Sequence, residues 1–171
     1  MADIQNLIPM IRKWEDKSIT DVEVLTKERN KGVTLNLYAL YCKVKKAPKP
    51  TIEQLMNISD EEWFDLFKTL FWDKWGGDKI ENQSIANILV DWLWMSGDYG
   101  IKIPQRILGV ALNGVVDNKT ILALNKKTSK DLFQQIFYER VSYINRICIS
   151  RPANRKFKQI WLDRVYQFKF Y

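Results

Sequence analysis

Along most of the chain, apolar residues recur at intervals of three and four, the period that lines one face of an α-helix. Residues 3–14 put Ile4, Leu7, Ile8, Ile11 and Trp14 on one side. The pattern breaks over residues 16–33, which are polar and irregular up to Gly32. Ile19, Val22, Val24 and Leu25 are β-prone, so this stretch has room for a small hairpin or an irregular loop. A short helix is predicted from Thr34, carrying Leu35, Tyr38, Leu40 and Tyr41, and its lysines from Lys43 to Lys46 suit a helix C-terminus. Pro48 and Pro50 punctuate it. Thr51 with Gln54 spells a capping box, and Ser59 caps a helix with Trp63, Phe64, Phe67, Leu70 and Phe71 on its apolar face, ended by Gly76 and Gly77. Residues 82–95 are apolar nearly all round, which predicts a central helix broken by Gly97 and Gly100. Further helices follow over 101–109, from Thr120, from Ser129 to the stop at Pro152, and over 154–168. The chain reads as mainly α, with no strong strand pattern and no repeat.

Composition narrows the chemistry. With 46% hydrophobic residues in 171, the chain can build a real core. Its net charge of +7 attracts polyanions: nucleic acid, an anionic membrane face or cell-wall polymers. The charge is dispersed, with no basic tail. There is no histidine, which removes Ser-His-Asp and Cys-His catalysis and imidazole zinc sites. Cys42 and Cys148 are isolated, form no CxxC pair, and read as small buried hydrophobes. Chemistry therefore falls to carboxylates. The N-terminus lacks the pattern of a Sec signal peptide, and no apolar stretch reaches about 18 residues, so synthesis in the cytoplasm without membrane insertion is expected.

Glu15 is the main candidate. It follows Trp14 at the expected end of the first helix, where the negative helix pole and an apolar neighbour both favour a protonated carboxyl. A carboxylic acid kept protonated near neutral pH is what glycoside cleavage requires of its general acid. Lys13 and Lys17 pull the other way, and the plain alternative is a solvated glutamate closing a helix. Asp21 and Glu23 could supply a second carboxylate, or stand as loop residues in solvent. Seven tryptophans offer flat faces for sugar rings or bases, though most aromatics sit at helical spacing and belong to a core. Trp92 and Trp94 cannot point the same way on one helix, so one of them faces a cleft or a neighbouring segment.

Four segments carry a resemblance. Trp14 to Thr34 reads WEDKSITDVEVLTKERNKGVT and registers without a gap on W-E-G-G-[FY]-V-N-D-P-x-D-x-G-G-x-T-N-x-G-[VI]-T, matching at Trp14, Glu15, Asp21, Asn30, Gly32, Val33 and Thr34. FWDKWGGDKIENQSIANILVDWLWMSG follows a tryptophan-containing helix end, a D-x-I-x-x-Q-x-I-A stretch and a helix closing in S-G. IPQRILGVALNGVVDNKTILALN matches at Gln105, Leu108, Gly109, Gly114, Thr120, Ala123 and Asn125, and RPANRKFKQIWLDRV at Phe157, Trp161 and Arg164. In order and spacing, over about residues 5–165, they resemble the phage and prophage muramidases of glycoside hydrolase family 108, which include secretion activator proteins.

The resemblance implies a lysozyme-like helical fold, with a muramidase part at 1–95 and a helical peptidoglycan-binding part at 96–171 packed as one unit. It implies cleavage of the β-1,4 bond between N-acetylmuramic acid and N-acetylglucosamine, with Glu15 as proton donor and no metal or cofactor. Asp21, Asn30, Thr34, Trp92 and Gln105 are the expected substrate contacts. The expected partner is peptidoglycan and not nucleic acid, met at the periplasmic or extracellular wall after release through a holin or another route that bypasses Sec. Departures cluster beside the acid: Asp16, Lys17, Thr26 and Lys27 stand where the family has glycine, Val24 where it has aspartate, and Arg29 where it has threonine. Glycine permits close backbone approach and positive φ, so their loss reshapes this loop. A homologue that binds wall or a partner without cutting is therefore the second reading. A basic nucleic-acid binder is a third, without the Lys/Arg helix stripe of a groove reader.

Overall fold

A computed structural model describes residues 1–18, 29–127 and 129–171, with side chains of 16–18 excepted. Ile19, Asp21, Val22, Glu23, Val24 and Leu25 lie outside the described residues. The fold is mainly α and lysozyme-like, as the periodicity and the resemblance predict, with a single two-stranded sheet among the described residues.

A 3₁₀ turn at Ile4–Asn6 leads into α1, Ile8–Ser18. The first helix thus starts later and runs further than the apolar spacing predicts, and Glu15 sits three residues inside its end. The antiparallel strands β1, Arg29–Asn30, and β2, Val33–Thr34, form a hairpin with Arg29 opposite Thr34. Thr34 then caps α2, Leu35–Val44, by accepting from the Leu37 N–H. The capping box at Thr51 opens α3, Ile52–Met56, and Ser59 caps α4, Asp60–Phe67. The single helix predicted from Ser59 to Gly76 is interrupted by a π turn at Lys68–Trp72 before α5, Asp73–Trp75. The interrupted stretch buries Phe71, Trp72 and Trp75, so core packing sets the local winding.

Asn82 caps α6, Gln83–Ser96, which is buried almost throughout from Ser84 to Leu93, as its all-round apolar pattern predicts. It packs against α7, Tyr99–Leu108, and α9, Ser129–Ser150, with α8, Asn118–Lys126, between them in sequence. Gly97 ends α6, but Gly100 does not break the chain. It lies in the first turn of α7, where a Cβ would sit 2.5 Å from the Leu93 backbone nitrogen, so glycine lets the two helices touch. After a 3₁₀ turn at Pro152–Phe157, α10, Lys158–Tyr166, folds back along α9 over Ile144, Cys148, Leu162 and Val165. Cys42 and Cys148 are both free and buried. The return of α10 brings the end of the chain to the first helix.

Candidate active site

Glu15 is only 6% exposed. Its Oε1 accepts from the Trp94 indole N–H at 2.8 Å and from Nη1 of Arg164 at 3.0 Å. Trp94 comes from the end of α6, and Arg164 from α10, 149 residues away in sequence. Arg164 turns its Nε and Nη2 to Asp91 Oδ1, at 2.9 and 2.6 Å. Asp91 Oδ2 accepts from Arg140 Nη2 at 2.5 Å, and Arg140 also donates to the Ile88 carbonyl. Two guanidiniums and two carboxylates thus form one buried, charge-balanced chain, Glu15–Arg164–Asp91–Arg140. Aromatic rings insulate it: Arg140 lies over Trp92 and Phe168, and Arg164 over Trp14.

Electrostatics follow from partner counts. Burial pushes the Asp91 carboxyl up, but Arg164 and Arg140 outweigh it and hold the group below the usual carboxylate range. Burial pulls the Arg140 guanidinium down despite Asp91. Burial also opposes charge on Arg164, yet with both Asp91 and Glu15 as partners it ends above its ordinary value. The cation beside Glu15 is therefore a firm one, and its bond to Oε1 is of the charge-assisted kind.

The hairpin covers the other carboxylate oxygen. Gly32, at φ +79°, places its Cα so close that a Cβ would collide with the Glu15 carboxyl, 2.6 Å from Cδ, and with the Trp94 ring. The turn is pinned from both sides. Asn30 Nδ2 donates to the Leu55 and Met56 carbonyls, and Trp63 Nε1 donates to the Lys31 carbonyl at 2.9 Å. Trp63, Phe67 and Phe71 pack around Trp94, with ring centroids 4.8 to 6.0 Å from it, and so fix the indole that holds Glu15.

The sequence-predicted residues divide accordingly. Glu15, Asn30 and Thr34 come together, with Asn30 and Thr34 building the hairpin laid over the acid. Asp21 lies outside the described residues. Trp92 is fully buried against Tyr143 and Arg140, and of the tryptophan pair it is Trp94 that reaches the carboxylate. Gln105 is fully buried and spends its amide on Asn113, Gly114 and the Val115 carbonyl, shaping the turn before α8. Arg164 and Asp91 carry no role in the sequence reading. Arg164 stands among the matches of the closing segment, and that was its one signal. No group of three or more potential metal ligands occurs among the described residues.

Residues 9–97 match the sequence model of a family described as Glycosyl hydrolase 108. The chain belongs to the glycosyl hydrolase 108 family. Residues 99–166 match a second model, described as Predicted Peptidoglycan domain. The two matches together give the protein a peptidoglycan-related, muramidase-type function. SagA of Brucella abortus shares the fold, with a TM-score of 0.62 and 19% identity over 81% of this chain and 79% of that one. No curated protein is matched by the chain. Among the described residues no helix is long and apolar enough to cross a membrane.

Proposed function

We propose that this glycosyl hydrolase 108 protein is an N-acetylmuramidase that uses Glu15 as general acid. The reaction adds water across the β-1,4 bond between C1 of N-acetylmuramic acid and O4 of N-acetylglucosamine. Glu15 gives its proton to the departing O4, while positive charge builds on the muramic acid ring. Arg164 and Trp94 are positioning residues, since both hold the carboxyl that meets the sugar. Donation requires that Oε1 exchange Arg164 for a proton, with Asp91 keeping its own two bonds to that guanidinium. Residues 96–171 form the wall-binding part, packed onto the catalytic part as one unit, and the site of action is the wall outside the cell membrane.

The observation that carries the reading is Glu15 itself. The resemblance read in the sequence sets it at the family's acid position, and in the fold it is buried beneath a glycine turn rather than solvated. A second reading, a homologue that holds the wall or a partner without cutting it, is favoured by the Arg164 guanidinium on the acid and by Asp16, Lys17, Thr26 and Lys27 in place of glycines. Purified sacculi separate the two. A muramidase releases fragments ending in reducing N-acetylmuramic acid, and Glu15→Gln abolishes that release. A non-cutting binder retains sacculi and releases nothing.

A further inference from the structure

Away from Glu15, α7 and α9 line an open groove of about 400 Å³. Arg106, Arg146 and Arg151 converge on it, with Tyr99 and Tyr143 beside them. Their only charged neighbour in the contacts of the described residues is Glu139. One of its oxygens takes Nη2 of Arg106 at 2.7 Å and Nη2 of Arg146 at 2.9 Å. Three cations against one anion leave the groove positive, and each of those two guanidiniums keeps donors beyond the one Glu139 engages. The C-terminal pole of α9 accounts for Arg146 and Arg151 near its end, but not for Arg106, which α7 delivers to the same place. Tyr99 is 58% exposed, and its ring centroid lies 5.7 Å from that of Tyr143. The groove combines a flat aromatic face with fork-shaped cations, and its volume suits a small ligand.

We propose that this groove binds the carboxylates of the peptidoglycan stem peptide, with the adjoining backbone or sugar against Tyr99. The proposal rests on the wall-directed reading above and deepens it, since the groove lies wholly inside residues 99–166. Peptidoglycan chemistry selects the peptide. Both sugars are N-acetylated and neutral, and the lactyl carboxyl of muramic acid is consumed in its amide bond to the peptide. The negative charge next to the glycan therefore sits on the peptide carboxylates, which guanidiniums recognise in planar, paired fashion. Three arginines, two of them held by Glu139, are too few for a polynucleotide track.

The test uses the full chain and a soluble N-acetylglucosaminyl-N-acetylmuramyl tetrapeptide, which lacks the bond a muramidase cuts. Binding is followed by calorimetry or by amide chemical shifts. The wild type should bind it, while the Arg106→Gln/Arg151→Gln pair, on solvent-facing side chains, should weaken binding about tenfold or more with an unchanged thermal midpoint. The same probe with its carboxylates converted to amides should bind the wild type about tenfold more weakly, and Glu139→Gln should tighten binding of the acidic probe. Equal affinity for the amidated probe, no effect of the arginine pair, or no binding by the wild type would each overturn the proposal. So would an oligonucleotide that displaces the probe at lower concentration than unlabelled muropeptide. Release of reducing N-acetylmuramic acid from sacculi, measured on the same proteins, reports separately on the catalytic reading.

Discussion

The molecule holds two arginine–carboxylate clusters built from the same chemistry and set in opposite surroundings. Arg164, Arg140, Asp91 and Glu15 are buried to 6% exposure or less and balance one another. Arg106, Arg146 and Glu139 are open to water, with side-chain exposures of 58%, 53% and 27%. Burial turns the first into a fixed geometric device. Its charges have lost their water, so each must keep its partners, and Glu15 is held where three distant segments meet. Exposure leaves the second weak, screened by salt and ready to exchange Glu139 for another carboxylate. An ion pair inside the fold orients, and one outside recruits.

Substitutions should break this contrast in graded steps. Asp91→Asn should cost most, about 3–5 kcal/mol in denaturant unfolding, because two buried guanidiniums lose their shared anion. Asp91 also sets an acid limb. Its folded value lies below the unfolded value of about 3.9, so its stabilisation is whole above that value and is lost as pH falls through the folded one. The unfolding free energy of the wild type should fall below about pH 4, and that of Asp91→Asn should fall less steeply over the same window.

Gly32→Ala should come next, at about 2–3 kcal/mol, since φ +79° and the Glu15 carboxyl both resist a methyl group. Its effect on muropeptide release should exceed its effect on stability, because the displaced atoms are those of the acid. Trp94→Phe removes one donor to Glu15 while keeping the ring stack, for about 2 kcal/mol. Glu139→Gln should be nearly silent, under about 1 kcal/mol in thermal unfolding, and less still at high salt. A large loss there would erase the distinction between the two clusters.

Much of this fold is legible in the chain because it is local. The capping box at Thr51, the cap at Ser59 and the all-round apolar run of α6 each depend on residues within one or two turns. The π turn at Lys68–Trp72 is not legible, because it answers to what Phe71 and Trp72 must bury and not to spacing. The site divides in the same way. Glu15 is nominated by its place in a motif, but its surroundings are long-range. Nothing near residue 15 announces Arg164, and helical phase alone does not say which of Trp92 and Trp94 turns toward the acid. Gln105 and Asn30 match motif positions, yet their amides are occupied by backbone partners in the fold.

The most direct measurement is the appearance of reducing N-acetylmuramic acid ends on purified sacculi, for the wild type and for Glu15→Gln with its fold verified by circular dichroism. The wild type should generate them steadily and the variant should generate none. Equal rates from the two proteins would take the proton donor away from Glu15 and contradict the account.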